Sequence, residues 1–264
     1  MPGGTAGSAK SAVTGDPYPA AVDLDRPPPS TENTANPANS AGAGNRWALV
    51  AGLWDLCLPH PCAVCGRSAR PLCGRCAAEL PLAAPRPPPG SLERLAGLLD
   101  YRDQVRRVVA AAKLRPTGPL ADLLGRSLGP LLTGLATGDP PGPRPTTDEP
   151  VVVTWAPTVP SRARRRGGDQ AEVLARAAAQ ETSVPVEVLP TLRRIGRGRQ
   201  VGRDRIERID GVRFVVEPGT VPPRARVVVV DDVCTTGATL QAAGAALLEA
   251  GAARVDGLVL AVRS

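Results

Sequence analysis

The segment VVVVDDVCTTGAT at residues 227–239 constrains the fold more than any other part of this chain. Four consecutive β-branched residues cannot form a half-solvated strand, because every second side chain would face water. They require a strand buried on both faces, the central position of a parallel sheet wrapped in helices. The α/β class follows, with a mostly parallel sheet. Such a strand delivers Asp231 and Asp232 to the carboxyl edge of the sheet, where ligands of open α/β folds bind. The turn that follows is expected to open a helix at about residue 237, exposing backbone N–H groups and the positive end of a helix dipole.

The residues of that turn suit an anion. Gly237 permits close approach of the backbone, Ala238 adds little bulk, and Thr235, Thr236 and Thr239 carry hydroxyl donors. The two acids would repel a phosphate, so their partner is a neutral diol or a divalent ion beside one. A ligand with a phosphate at one end and a diol next to it is a sugar phosphate. A plain capped helix would account for one acid and one threonine, not for both pairs behind four valines.

Around this segment the chain reads as alternating strands and helices. Strands are expected at 151–155, 185–189, 212–216, 226–232 and 254–262, with helices at 169–180 and 237–250. Apolar spacing predicts further helices over 91–114, broken near Asp100, and over 119–135. The segments 137–150 and 190–210 read as connections, the second rich in Arg and Gly. Residues 1–45 have almost no large apolar side chains and are expected to be disordered. Trp47, Val50, Leu53 and Trp54 suggest a short amphipathic helix ahead of the cysteines. The proline-rich stretch 81–90 reads as a stiff spacer, so the cysteine module is expected to melt separately. The expected division is 1–45, a helix and metal module at 46–86, and the α/β domain at 87–264.

Cys62, Cys65, Cys73 and Cys76 form two CxxC pairs separated by seven residues. Thiolates at i and i+3 of a tight turn converge on one ion, and two such turns make a closed tetrahedral site, so structural Zn2+ is expected. Gly66 suits the first turn. Cys57 and His60 are spare, and Cys234 reads as a small filler. No export signal is visible, and no stretch reaches the ~20 apolar residues of a membrane span. A cytoplasmic location without membrane insertion is therefore expected.

The charge is uneven. Of the net +7, most lies in residues 161–213, which hold 13 arginines and 7 acids. Arg162, Arg164, Arg165 and Arg166 stand just after the first core strand, and an anionic ligand is expected there. Among 32 basic residues, only Lys10 and Lys113 are lysines.

The 227–239 segment resembles the motif of type I phosphoribosyltransferases that binds 5-phosphoribosyl-1-pyrophosphate (PRPP). In ComF proteins, such a domain follows a four-cysteine zinc module and carries a pattern similar to RRRGGDQAEVLA at 164–175. The resemblance spans about Leu53 to Val262. It implies that Asp231 and Asp232 contact the ribose hydroxyls and act in catalysis. It implies that Thr235, Thr236, Gly237, Ala238 and Thr239 wrap the 5′-phosphate. Arg162 and Arg166 would meet pyrophosphate, Mg2+ would accompany PRPP, and residues 194–205 would form a mobile cover. Two features depart from the pattern. Thr235 stands where purine-salvage relatives place an acid that acts as base, and Trp155-Ala156-Pro157 replaces Pro-Val-Pro. The implied activity is phosphoribosyl transfer to a nitrogen nucleophile. The alternative is a non-catalytic protein that binds PRPP or a nucleotide and single-stranded DNA, linked to DNA uptake. Trp47, Trp54, Tyr101 and Trp155 are not interleaved with the basic stretch, as base-stacking platforms require.

Overall fold

A computed structural model describes residues 61–67, 70–138, 150–195 and 212–263. The valine run forms the centre of the sheet, as its burial demands. Strand β6 (Arg226–Cys234) lies between β2 (Val151–Trp155) and β7 (Arg254–Val262). The five strands run in the order β1-β7-β6-β2-β3, every pair parallel, with β1 at Leu95–Asp100 and β3 at Glu187–Val188.

Alternation along β6 divides the core in two. Val228 and Val230 face one layer, with Val153, Leu258 and Leu260. That layer is closed by α2 (Asp103–Leu114), α3 (Pro119–Arg126), α4 (Gly129–Thr137) and α6 (Gln170–Glu181). Val227 and Val229 face the other layer, with Val152, Val255 and Val259. There Leu240, Ala243 and Leu247 of α7 (Ala238–Glu249) cover the sheet. They are joined by Leu192 and Phe214, from the antiparallel pair β4 (Leu192–Ile195) and β5 (Arg213–Val216).

Several expectations change. The first half of 91–114 is strand β1, not helix, because β7 offers it a parallel partner from Leu95↔Gly257 to Asp100↔Val262. Gly97 makes the pairing fit, since a Cβ there would lie 2.1 Å from Val262 Cγ2. The expected helix over 119–135 is two, divided at Ser127–Leu128, with Pro130 in the first turn of α4. The loop after β2 contains a one-to-two-turn helix, α5 (Pro160–Arg166), begun by Pro160 and ended by Gly167 at φ +77°. The Arg/Gly connection begins with β4. Residues 1–60, most of 137–150 and 196–211 lie outside the described residues, as do the expected disorder, the first helix, and most of the cover at 194–205.

The proline-rich stretch is no free spacer. Ala83 N–H donates to Leu98 C=O (3.0 Å) and Asp100 N–H to Pro81 C=O (2.9 Å), tying it along β1. Cys62, Leu72, Cys76 and Leu80 share one apolar cluster with Leu98, Leu99 and the Val105/Val108/Val109 face of α2. The cysteine segment is thus continuous with the domain core, and separate melting is not expected. No helix among the described residues is long and apolar enough to cross a membrane.

Candidate functional site

The acid pair sits where β6 loses one neighbour. Pairing with β2 ends at Trp155↔Val230, and Ala156 N–H donates to Val230 C=O (2.9 Å). From there β2 turns away toward α5. On its other side β6 stays paired with β7 from Asp231↔Val259 to Cys234↔Val262. The backbone at residues 231–234 is thereby held rigid on one flank and open on the other.

Asp232 N–H donates to Asp231 Oδ1 (2.7 Å), and Asp232 Oδ2 pairs with Lys113 Nζ at 2.9 Å. Lys113 lies at the C-terminal end of α2. Burial pushes the Asp231 carboxyl up to about 8. The Asp232 charge adds to the rise, the Asp232 N–H and Lys113 oppose it, and Asp169 reinforces it. Asp169 is the third acid of the site. It caps α6 by accepting from Ala171 N–H (3.1 Å), and its other oxygen accepts from Thr158 N–H (2.7 Å). One carboxylate therefore fixes both ends of the loop after β2. Burial pushes its carboxyl up, against those two N–H groups, and Asp232 contributes.

The turn expected to hold an anion opens α7. Gly237 adopts φ +82° at the start of α7, Ala238 N–H donates to Thr236 Oγ1 (3.4 Å), and Thr235 and Thr236 are exposed. Thr239 is half-buried in the first turn of α7, beside exposed Ala238. The reason for glycine is partly different from the one the sequence suggested. A Cβ at 237 would lie 2.4 Å from Pro89 Cβ, so the proline-rich strap closes over the turn. The same strap brings Arg86, whose Nη1 donates to Thr235 C=O (3.3 Å) and Arg263 C=O (3.1 Å). Arg86, Thr235, Thr236 and Arg263 line an open cleft of about 470 Å3.

Arg162, Arg164, Arg165 and Arg166 are exposed on α5, and none forms an ion pair with a described residue. The sequence reading missed Lys113, Asp169 and Arg86. Asp169 carried a signal, an acid three residues before Glu172 at a helix start, which resembles a capping box. Lys113 had only its rarity to mark it, and Arg86 had none.

The four cysteines converge. Their sulfurs lie within 4.8 Å of one another, and Cys65 Sγ and Cys73 Sγ are 3.8 Å apart. Tetrahedral ligands at ~2.3 Å from one zinc would stand about 3.8 Å apart. Cys73 N–H reaches Cys62 Sγ (3.5 Å), and Gly66 turns the first knuckle at φ +71°. Burial raises the Cys62 thiol, but N–H groups of Cys65, Cys73 and Val64 outweigh it and bring it down to about 6. Hydrogen bonding from Cys73 and then burial push Cys76 up to about 12. The cluster is capable of coordinating a metal ion.

Residues 167–263 match the family model of the phosphoribosyl transferase domain. The chain carries a phosphoribosyltransferase-fold domain. The match takes in α6, the acid pair, the turn at 235–239 and β7, and leaves the cysteine segment outside. Two solved structures are similar to part of the chain. One is an asparagine mutant from an analysis of an invariant aspartic acid in HPRTs. It is 17% identical, with a TM-score of 0.34, over 54% of this chain and 65% of its own. The other is the allosteric regulatory enzyme of purine biosynthesis. It is 23% identical, with a TM-score of 0.35, over 57% of this chain and 30% of its own. The match thus spans less than two thirds of either structure's length. No curated protein matches the chain significantly.

Proposed function

We propose that the phosphoribosyltransferase-fold domain binds PRPP and transfers its phosphoribosyl group to a nitrogen nucleophile, in the manner of ComF-type proteins. The observation that carries this reading is the acid pair at the free flank of β6, four residues ahead of a turn that opens α7. Asp231 and Asp232 would accept from the ribose hydroxyls and stabilise positive charge at the ribose as the bond from C1 to pyrophosphate breaks. Backbone N–H groups of residues 235–239 would hold the 5′-phosphate. Arg162 and Arg166, unpaired with any described residue, would meet the pyrophosphate. The oxygen donors at this rim suit a hard divalent ion, and Mg2+ bound with PRPP would make pyrophosphate a better leaving group.

Titration calorimetry with PRPP and Mg2+ should give saturable binding. A pyrophosphate-release screen over nucleobases and ammonia should then find the nucleophile. PRPP binding without pyrophosphate release from any acceptor would leave a sensor rather than an enzyme.

The exposed arginines of α5 also favour a second reading, in which single-stranded DNA is the partner and the protein serves DNA uptake. Fluorescence anisotropy of a labelled strand, with and without PRPP, separates the two. Competition is expected if both ligands use the same arginines, and binding indifferent to PRPP would place the DNA surface elsewhere. Affinity for the strand should fall with salt at a log–log slope of about −0.7 per phosphate neutralised.

For the metal, Cys62, Cys65, Cys73 and Cys76 would hold one structural Zn2+, as elemental analysis should show. A four-thiolate site fits a reducing, cytoplasmic setting. Chelation should lower the melting midpoint of the whole domain in a single transition, since the cysteine segment and α2 share a core. Two separate transitions would contradict that continuity.

A further inference from the structure

We infer that Lys113 is a positioning residue of the acid pair, its ammonium anchoring the Asp232 carboxylate so that the pair presents its free oxygens to a vicinal diol. The inference rests on the sugar-phosphate reading of the site and deepens it. Three carboxylates, Asp169, Asp231 and Asp232, act on one another at the end of β6. Two of Asp169's contacts are backbone N–H groups, and Asp231 has the Asp232 N–H. Among the described residues only Asp232 forms an ion pair, and its cation comes from a different element, the end of α2, at 2.9 Å.

The choice of residue supports a role beyond surface pairing. The chain has 32 basic residues, and all but Lys10 and Lys113 are arginines. An arginine fork would engage both carboxylate oxygens of Asp232 and take up two of their four acceptor sites, whereas an ammonium is a compact point charge that can meet one oxygen alone. Lys113 meets one oxygen, Oδ2. The contact is also half-sheltered, with the two side chains 30% and 21% exposed, so solvent does not screen it as it does an open surface pair. The groups facing Asp231 are Asp232 on β6, Lys113 from α2 and Asp169 from the start of α6, with Cys234 nearby on β6.

The test uses the full-length protein, its Lys113→Met and Lys113→Arg variants, and ribose 5-phosphate as probe, which carries the diol and phosphate without pyrophosphate. Calorimetry from pH 6 to 9.5 gives the affinity profile, and carboxyl-carbon NMR of the ligand-free protein follows Asp231 directly. In the parent protein, Asp231 should titrate near 8 and affinity should rise through that pH. In Lys113→Met, the Asp231 midpoint should move upward, and affinity at pH 8 should drop at least ~10-fold, the scale of one charge-assisted contact. Lys113→Arg should keep the parent midpoint and recover part of the affinity. A Lys113→Met protein that titrates and binds like the parent overturns the inference. So do two variants equally weak at an unchanged midpoint, because that pattern means packing alone. A parent protein that ignores ribose 5-phosphate while its Asp231 midpoint still depends on Lys113 would overturn the sugar-phosphate reading and leave the positioning role standing.

Discussion

Two aspartates on neighbouring strands, Asp256 buried and Asp231 half-buried, show how one residue type can serve opposite ends. Asp256, near the start of β7, is 1% exposed and meets three guanidinium groups: Arg94 at 2.7 Å, Arg254 at 3.7 Å and Arg226 at 3.9 Å. Arg94 and Arg226 also donate to the last carbonyls of α4, at Gly134, Leu135 and Ala136. This amino edge of the sheet is a closed account of charge, in which the acid, the cations and a helix terminus satisfy one another. Asp231, at the opposite edge of β6, has a second acid beside it, a third nearby, and a single lysine. Asp231 is half-buried where Asp256 is fully enclosed, and its pairing is left incomplete. Incomplete pairing at the edge where ligands of α/β sheets bind marks Asp231 as the candidate for function, and complete pairing marks Asp256 as structural.

The largest effect should follow Asp256→Ala, which strands buried arginines and should cost ~3–5 kcal/mol of stability by urea denaturation. Asp231→Asn puts a neutral amide where the fold keeps a carboxyl protonated to about 8, and should cost nothing or stabilise the protein. Equal losses in the two variants would erase the distinction.

Next in size, the double variant Asp231→Asn with Asp232→Asn should weaken PRPP binding at least ~100-fold, the scale of two charge-assisted hydrogen bonds, with an unchanged far-ultraviolet spectrum. Unchanged affinity would remove the acids from the site.

A third effect is pH dependence. The Asp231 carboxyl holds its proton to about 8 when folded and releases it near 3.8 when unfolded. Between those values the folded state binds more protons, so its stability declines as pH rises. Denaturation midpoints of Asp231→Asn relative to the parent should therefore improve steadily from pH 4 to 8. A flat difference would deny the raised carboxyl.

The smallest effect should come from Gly237→Ala, at about 1–3 kcal/mol for a left-handed backbone position, with added displacement of Pro89. Its unfolding midpoint would reveal whether the strap truly presses on the turn.

The central sheet was legible because its signals are local. Valines 227–230 admit only a buried strand, and 151–155 and 254–262 behave alike. The acids and the turn were legible for the same reason, being contiguous. Strand β1 was not, because Leu92, Leu95, Leu98 and Leu99 fit a helical period equally well, and only the distant β7 decides the matter. Strand β4 hid in a basic stretch, with Arg193 and Arg194 between Leu192 and Ile195. Lys113 was invisible as a site residue since its partner lies more than a hundred positions along the chain. Arg86 was read as spacer because proline-rich composition describes stiffness, not where a strap docks.

The position of β1 has a consequence in time. Leu95 pairs with Gly257 and Asp100 with Val262, so the edge strand emerges from the ribosome long before its partner exists. Until then Leu98 and Leu99 have no sheet to join, and the strap along them has nothing firm beneath it. Pairings between such remote segments are the slow step of folding, and unpaired strand edges invite association while they wait. The cysteine knuckles, by contrast, close on residues only a few positions apart and can gather their ion during synthesis. Nascent chains would then pass through a stage with the metal knot tied, and starvation for that ion would show first as aggregation of new protein, before any loss of protein already folded.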